Sequence, residues 1–469
     1  MSTRLDLQRR FISTSARVSL QFVLFTVVVS WLSVPFAHAT GMLSIDWQRQ
    51  IGTNVDDIAH DIAVDAAGNS YIGGNTAGNL NGQSNNGQRD AFQLSLDAVG
   101  ADRWTRLYGA LSASSDEEGY GVAANPSGLS ALTGFTTDVM FGTHHGQSDV
   151  YGARINSATG GVLVGSQIGT PAFDNGQGAA FAGNDDLYYV GQTSGTSFLG
   201  ETGDGSSQAY IYKQTSTGSI PWARLLGTSA TELAADVAVT TTGGAVLTGF
   251  TSGSLVGASA GSNDAFVAQF DSAGTQQWVA QLGSTGSDNA WGVGTDATGN
   301  VYIAGDAGGS LGGQTFHGGF SDAFVAKFNS AGAFQWARLL GDAGNDTAQA
   351  IAVDALGNSY ITGWTDGNIG GPNLGLTDTF LAKYDTSGNL LWTHQIGTTN
   401  RDEAEGIALL GDHIYIAGTA FSPFTGGHQG GRDVFAMSFI EATIPEPASI
   451  VLGAIAMALL GAERRRRRR

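Results

Sequence analysis

Apolar and polar positions alternate along this chain in short bursts, with turn residues between them. Between residues 321 and 365, apolar or β-branched runs at 324–328, 351–353 and 359–362 are separated by Asn329-Ser330-Ala331-Gly332 and Asp354-Ala355-Leu356-Gly357-Asn358. Gly and Asn supply the positive φ of tight turns, and Asp or Asn caps a turn through its side chain, so the pattern predicts hairpin-linked strands. Each unit reads as four strands: Ile-Ala-Val-Asp, Ser-Tyr-Ile-Thr-Gly, Asp-Ala-Phe, then a Trp strand. The runs are apolar on both faces, as expected of a small sheet sandwiched between neighbours. Small residues in the first strand (Ala348, Ala350, Ala352) suit the crowded inner end of a wedge.

The unit recurs seven times. Its first mark is a triplet beginning at Asp90, Asp149, Gln208, Asp264, Asp322, Asp378 and Asp433. Its second is a Trp followed five residues later by Gly, at Trp47, Trp104, Trp222, Trp278, Trp336 and Trp392, with Val164 in the remaining slot. Successive steps of 57, 60, 58, 56, 58 and 56 residues signal a repeat architecture. The last triplet, at Asp433, has no Trp strand after it, and the first Trp strand, at 43–52, has no triplet before it. Joining the two leftovers predicts an all-β, seven-bladed β-propeller of four-stranded blades, the last blade closed by the N-terminal strand, so that few edges are left exposed.

The pattern Trp-x4-Gly, then Ile-Ala-Val-Asp-x-x-Gly-Asn-x-Tyr-Ile-x-Gly, then Asp-Ala-Phe-Val-Ala-Lys resembles the bacterial propeller repeats known as SBBP repeats, over about residues 43–440. The resemblance is weakest in the third blade, where Gln208 replaces Asp and Gly183-Asn184-Asp185-Asp186 replaces the usual turn. It implies a fold and carries no agreed activity.

Both ends read as addresses. Residues 1–39 have a basic start (Arg4, Arg9, Arg10, Arg17), an apolar run at 18–36 and the small-residue site Ala37-His38-Ala39, the pattern of a cleaved signal peptide. The propeller is expected over 40–440 and a linker over 441–447. Pro445-Glu446-Pro447 precedes an apolar segment at 448–462 and six arginines, Arg464, Arg465 and Arg466 through Arg469. Fifteen residues of helix span only ~22 Å against a hydrocarbon core of ~30 Å, a short transmembrane helix held by a cytoplasmic arginine cluster. Together these features resemble the PEP-CTERM sorting signal. That resemblance implies transient inner-membrane association, removal of the tail by an exosortase, and a bacterium that makes exopolysaccharide.

Composition changes the picture in two ways. The absence of cysteine excludes disulfides, a thiol nucleophile and a thiolate zinc site. Setting the leader and tail aside leaves 12 basic and 39 acidic residues in 40–447, a net charge of −27 that repels nucleic acid and favours cations.

The candidate chemistry is carboxylate. An acid follows the Gly of each Trp mark: Asp56 or Asp57, Asp116, Asp174, Glu232, Asp288, Asp346 and Asp402. These acids serve either as loop caps or as a Ca²⁺ collar on one face, for which Asp174, Asp288, Asp346 and Asp402 are the candidate ligands. The triplet Asp is expected to pin the Gly-rich loop before it. One apolar residue per loop (Leu80, Phe141, Phe198, Leu255, Leu311, Ile369, Phe424) is expected to anchor that loop. His144, His145, His317 and His428 fall in loops of three blades and are expected to be solvent-exposed. No nucleophile elbow, zinc-protease motif or phosphate loop occurs, so no catalytic or cofactor-binding residue is assigned. The expected function is a non-enzymatic binding or scaffolding module at the cell surface or in the exopolysaccharide matrix, with exopolysaccharide or surface proteins as partners. The alternative is a carbohydrate hydrolase or lyase using acids at the channel mouth.

Overall fold

The computed structural model describes residues 42–424 and 427–442. The signal peptide, the Pro-Glu-Pro motif, the apolar segment and the arginine tail lie outside the described residues. No helix among the described residues is long and apolar enough to cross a membrane.

Seven antiparallel four-stranded sheets form the blades of a β-propeller, six of them with their strands in chain order. Blade six is typical, built from Asp346–Val353, Ser359–Thr365, Asp378–Tyr384 and Leu390–Ile396. Blade seven takes Asp402–Leu410, His413–Ala420 and Asp433–Ala442 from the C-terminal side and Met42–Ile51 from the N-terminal side. That closing pair runs from Met42 opposite Ala442 to Ile51 opposite Val434, with one register shift between Ile45 and Trp47. Closure through paired strands satisfies backbone groups that an open ring would leave as an edge. Blade three alone carries an added hairpin, Ser197–Phe198 with Glu201–Thr202.

The core lies between blades. One cluster packs Val246 and Val267 of blade four against Val293, Ile303 and Phe324 of blade five, and six similar clusters fill the other junctions. This explains second strands such as Ser359–Thr365, buried on both faces apart from Trp364.

The Trp marks are latches between blades. On five of the seven outermost strands the indole Nε1 donates to a carbonyl in the outer turn of the next blade: Trp47 to Ala98, Trp104 to Ser157, Trp222 to Ser272, Trp278 to Ser330 and Trp336 to Thr386, at 3.0–3.3 Å. Trp392 has no such turn ahead of it, because the last strand continues to Ala442, and it bonds Glu441 Oε1 instead at 2.9 Å. In blade two, Val164 lies against Gly218 of the next blade. The turn glycines make room for the ring: a methyl on Gly332 would sit 2.5 Å from Trp278 Cδ2.

Candidate functional site

The acids expected to ring one face open the innermost strands. Asp57, Glu117, Asp174, Glu232, Asp288, Asp346 and Asp402 are all fully buried there. The structure corrects one position. Glu117 takes the place expected of Asp116, because the loop into blade two is longer; Asp116 turns outward to pair with Arg89 at 2.6 Å. Asp56 likewise pairs with Arg432 at 2.8 Å and leaves the buried place to Asp57.

The four named Ca²⁺ candidates sit in four separate junctions and cap their own loops. Asp174 accepts the Thr170 N–H and hydroxyl at 2.6 and 2.7 Å, Asp288 those of Ser284 at 2.5 and 2.9 Å, and Asp402 those of Thr398 at 2.5 and 2.7 Å. Asp346 accepts the Asp342 N–H at 3.1 Å and the Thr365 hydroxyl. Burial raises all four pKa values, to about 6 for Asp288, Asp346 and Asp402, and the triplet Asp of the preceding blade adds to the rise in each. Among the described residues no three His, Cys, Asp or Glu side chains gather as a metal centre of three such ligands requires.

Each triplet Asp accepts a backbone N–H from the loop before it: Asn86 to Asp90, His145 to Asp149, Ala260 to Asp264, His317 to Asp322, Leu374 to Asp378 and Gln429 to Asp433, at 2.8–3.1 Å for the shorter contact where two are made except Leu374, at 2.7 Å. The histidines belong to the same arrangement. The imidazoles of His145, His317 and His428 lie 3.2, 2.8 and 3.2 Å from the triplet carboxylates of their own blades; His145 and His317 are solvent-exposed, as expected, while His428 is half-buried. Of the loop anchors, Leu80, Phe198 and Leu311 are buried.

The sevenfold position that points inward is one residue type per blade and was not singled out from the sequence. Every innermost strand carries a β-bulge, visible as a register shift three residues after its acid. The unpaired residues are His60, Tyr120, Gln177, Ala235, Trp291, Gln349 and Glu405, and all seven line a central cavity of about 270 Å³. A bulge re-aims one side chain out of the pleat, which here means into the channel. The signal was available in the sequence: the fourth residue of each acid-led strand varies among units while the residue before it is always Ala or Gly.

The channel is a half-buried mixture of aromatic faces, amides and carboxylates. The His60 ring lies tilted against Tyr120 (ring centroids 4.7 Å apart), and its Nε2 lies 2.9 Å from Asn75 Oδ1. Burial lowers the His60 pKa, favouring the neutral ring. Tyr120 bonds Glu118, and Trp291 Nε1 donates to Asp306 Oδ1 at 2.5 Å. Asp61 and Asp236 fasten neighbouring innermost strands together. Asp61 accepts the Val122 N–H of blade two at 2.7 Å, and Asp236 the Val293 N–H of blade five at 2.8 Å. Burial nevertheless pushes them up to about 8 and about 6. Glu405 takes a hydrogen bond from Gln349 Nε2 at 3.0 Å, and burial, with Glu403 nearby, raises it to about 8. At neutral pH burial thus favours the protonated form of Asp61 and Glu405, able to donate as well as accept, but not of Asp236.

Comparison with known proteins bears on the fold. A family model described as Beta-propeller repeat (SBBP) matches residues 46–81, 277–312 and 335–371. The Regulatory protein FlaEY of Caulobacter vibrioides is 28% identical over 31% of this chain, and an uncharacterized WD repeat-containing protein of Acanthamoeba polyphaga mimivirus is 25% identical over 31%. The matches span only 17% and 12% of the length of these curated relatives. Among solved structures, a europium-containing methanol dehydrogenase is similar at 12% identity and TM-score 0.45, covering 85% of each chain. A gluconolactonase from Xanthomonas campestris is similar at 10% identity and TM-score 0.35, covering 86% of this chain and 91% of that one. Likenesses at this level carry no chemistry across.

Proposed function

We propose that this protein is an exported, non-enzymatic propeller that binds a ligand in its central channel, at the cell surface or in the exopolysaccharide matrix, after an exosortase has processed its C-terminus. The observation that carries the reading is the set of seven bulged side chains, of six residue types, turned into one cavity. A purely structural ring would have no use for that variety, whereas a recognition surface needs it. The faces of Tyr120 and Trp291 beside the amides of Gln177 and Gln349 suit a polyol chain, whose rings stack and whose hydroxyls take up hydrogen bonds. The surrounding acidity disfavours polyanions. The leader and the PEP-CTERM-like tail support export and delivery to the matrix.

The test is calorimetric titration of the protein with oligosaccharides cut from the host's exopolysaccharide. Saturable heat is expected with the oligosaccharides left intact, and affinity should fall at least about tenfold in Trp291→Ala, the loss of one stacked aromatic. Absence of heat with every fragment would overturn the reading. A second reading, hydrolase or lyase, is favoured by the raised pKa of Glu405, the property of a general acid. Shortened oligosaccharides, with the shortening lost in Glu405→Gln, would replace the first reading with this one.

A further inference from the structure

A second cavity lies where the ring closes, among the loops of blades seven and one. Its volume is about 640 Å³, and it shares no lining residue with the channel. Five amides line it: Asn54 from the link into blade one, Asn79, Asn81 and Asn85 from the loop of blade one, and Gln429 from the loop of blade seven. The rest of its wall is Gly, Ala, Thr and Val, and among the described residues no acidic or basic side chain lines it. The chain around it carries a net charge of −27 over residues 40–447, yet the nearby acids are spent elsewhere. Asp57 accepts the Thr53 N–H and hydroxyl at 2.5 and 2.8 Å, and Asp56 pairs with Arg432 at 2.8 Å.

The loop of blade one holds these amides in place. Leu80 is fully buried in the core beneath it. Asn79 Oδ1 accepts the Asn85 N–H at 3.0 Å; Asn85 in turn accepts the Gly87 N–H at 2.9 Å and donates to the Thr76 carbonyl at 3.3 Å. Blades four and five make the first of these bonds with a serine instead, Ser254 and Ser310, at 3.2 Å. The residue after the anchor stands in the left-handed region in three blades, with φ +47° at Asn81, +49° at Leu199 and +56° at Gly312. Glycine suits that turn and asparagine tolerates it. Blade one alone of the seven carries an amide on both sides of its anchor.

Much of this hydrogen-bonding capacity is unused by the fold. Asn81 Nδ2 bonds Thr105 Oγ1 at 2.9 Å, which leaves its Oδ1 to accept. Asn79 Nδ2 and the side-chain amides of Asn54 and Gln429 have no partner among the described residues. A volume of this size falls within the usual range of ligand pockets, about 300–1,000 Å³. An ion would find no counter-charge there, and an apolar ligand would strand the amides. Amides donate and accept side by side, as neighbouring hydroxyls do. We propose that this cavity is a second binding site, for a neutral, hydroxyl-rich sugar held by the amides of Asn54, Asn79, Asn81 and Gln429. It stands independently of the reading of the channel.

The experiment is saturation-transfer NMR, suited to weak binding, on the parent and on Trp291→Ala. The probes are cellobiose, maltose and chitobiose, with tetraalanine as a peptide control. At least one disaccharide is expected to give a saturable signal that persists in Trp291→Ala, where binding in the channel is weakened. Adding Asn79→Ser and Asn81→Gly installs the residues of blade five, so the thermal unfolding of the protein should stay as it was. Affinity for that disaccharide should nevertheless fall about tenfold, the loss of two hydrogen-bonding groups. No signal from any disaccharide, or one that the Asn79→Ser/Asn81→Gly change leaves unaltered, would overturn the proposal. A signal lost in Trp291→Ala would overturn it too while leaving the channel reading standing, and a signal from tetraalanine alone would overturn it in favour of a peptide ligand.

Discussion

The latch between neighbouring blades can be tested at a single turn glycine. Gly332 has φ +78° and Gly243 has φ +80°, so alanine at either position meets the same backbone strain, about 1–2 kcal/mol. Their surroundings differ. A methyl on Gly332 would lie 2.5 Å from Trp278 Cδ2 and 2.7 Å from its Cε3, whereas one on Gly243 meets nothing within 4 Å. Overpacking of this kind costs about 1–3 kcal/mol more. Gly243→Ala should therefore lose about 1–2 kcal/mol and Gly332→Ala about 2–5 kcal/mol, read from urea unfolding midpoints at constant slope. The ring is the cause of the difference, so its removal should cancel it. Against a Trp278→Ala background, Gly332→Ala should cost no more than Gly243→Ala does in the parent, a coupling of about 1–3 kcal/mol. Equal losses at the two glycines in the parent, or an undiminished Gly332→Ala penalty without the indole, would refute the claim that the Trp marks hold the turns of the next blade.

Two further predictions follow from side chains whose surroundings are unusual. The folded pKa of Glu405, about 8, stands above its ordinary 4.5, so its contribution to stability is full below pH 4.5 and is lost as pH rises toward 8. Glu405→Gln, which keeps the neutral shape, should flatten that decline, and a difference between variant and parent that stays constant from pH 5 to 9 in thermal unfolding would contradict the burial argument. Glu441 accepts from Trp392 Nε1 at 2.9 Å, Tyr360 OH at 3.0 Å and Lys383 Nζ at 2.7 Å, replacing the turn carbonyl used elsewhere. Glu441→Gln leaves the half-buried ammonium without its counter-charge and should cost about 1.5–3 kcal/mol in the same urea assay; a loss within experimental scatter would show the closing strand to be held by its ladder alone.

The sequence carried the architecture because its signals repeat. Seven copies of each mark average out the ambiguity of any one strand, and the unpaired Trp strand at 43–52 and triplet at Asp433 forced the closure now seen in the pairing of Met42–Ile51 with Asp433–Ala442. The reasons for the marks were less legible. Trp278 and Gly332 are 54 residues apart and belong to different blades, and nothing local says that one leaves room for the other. Asp116 was placed wrongly for a related reason: counting from the preceding Gly assumes equal loops, and the structure spends three extra residues before Glu117.

What the sequence determined by itself was therefore periodic and local: strand, turn, blade, the number of blades and their closure. Tertiary structure alone decided which side chains share a space. The bulges that send His60, Trp291, Gln349 and Glu405 into one cavity depend on how each innermost strand pairs with the next, and the approach of Trp278 to Gly332 depends on how two blades pack. Both follow from long-range hydrogen bonding and burial, which fix position only once the ring has closed.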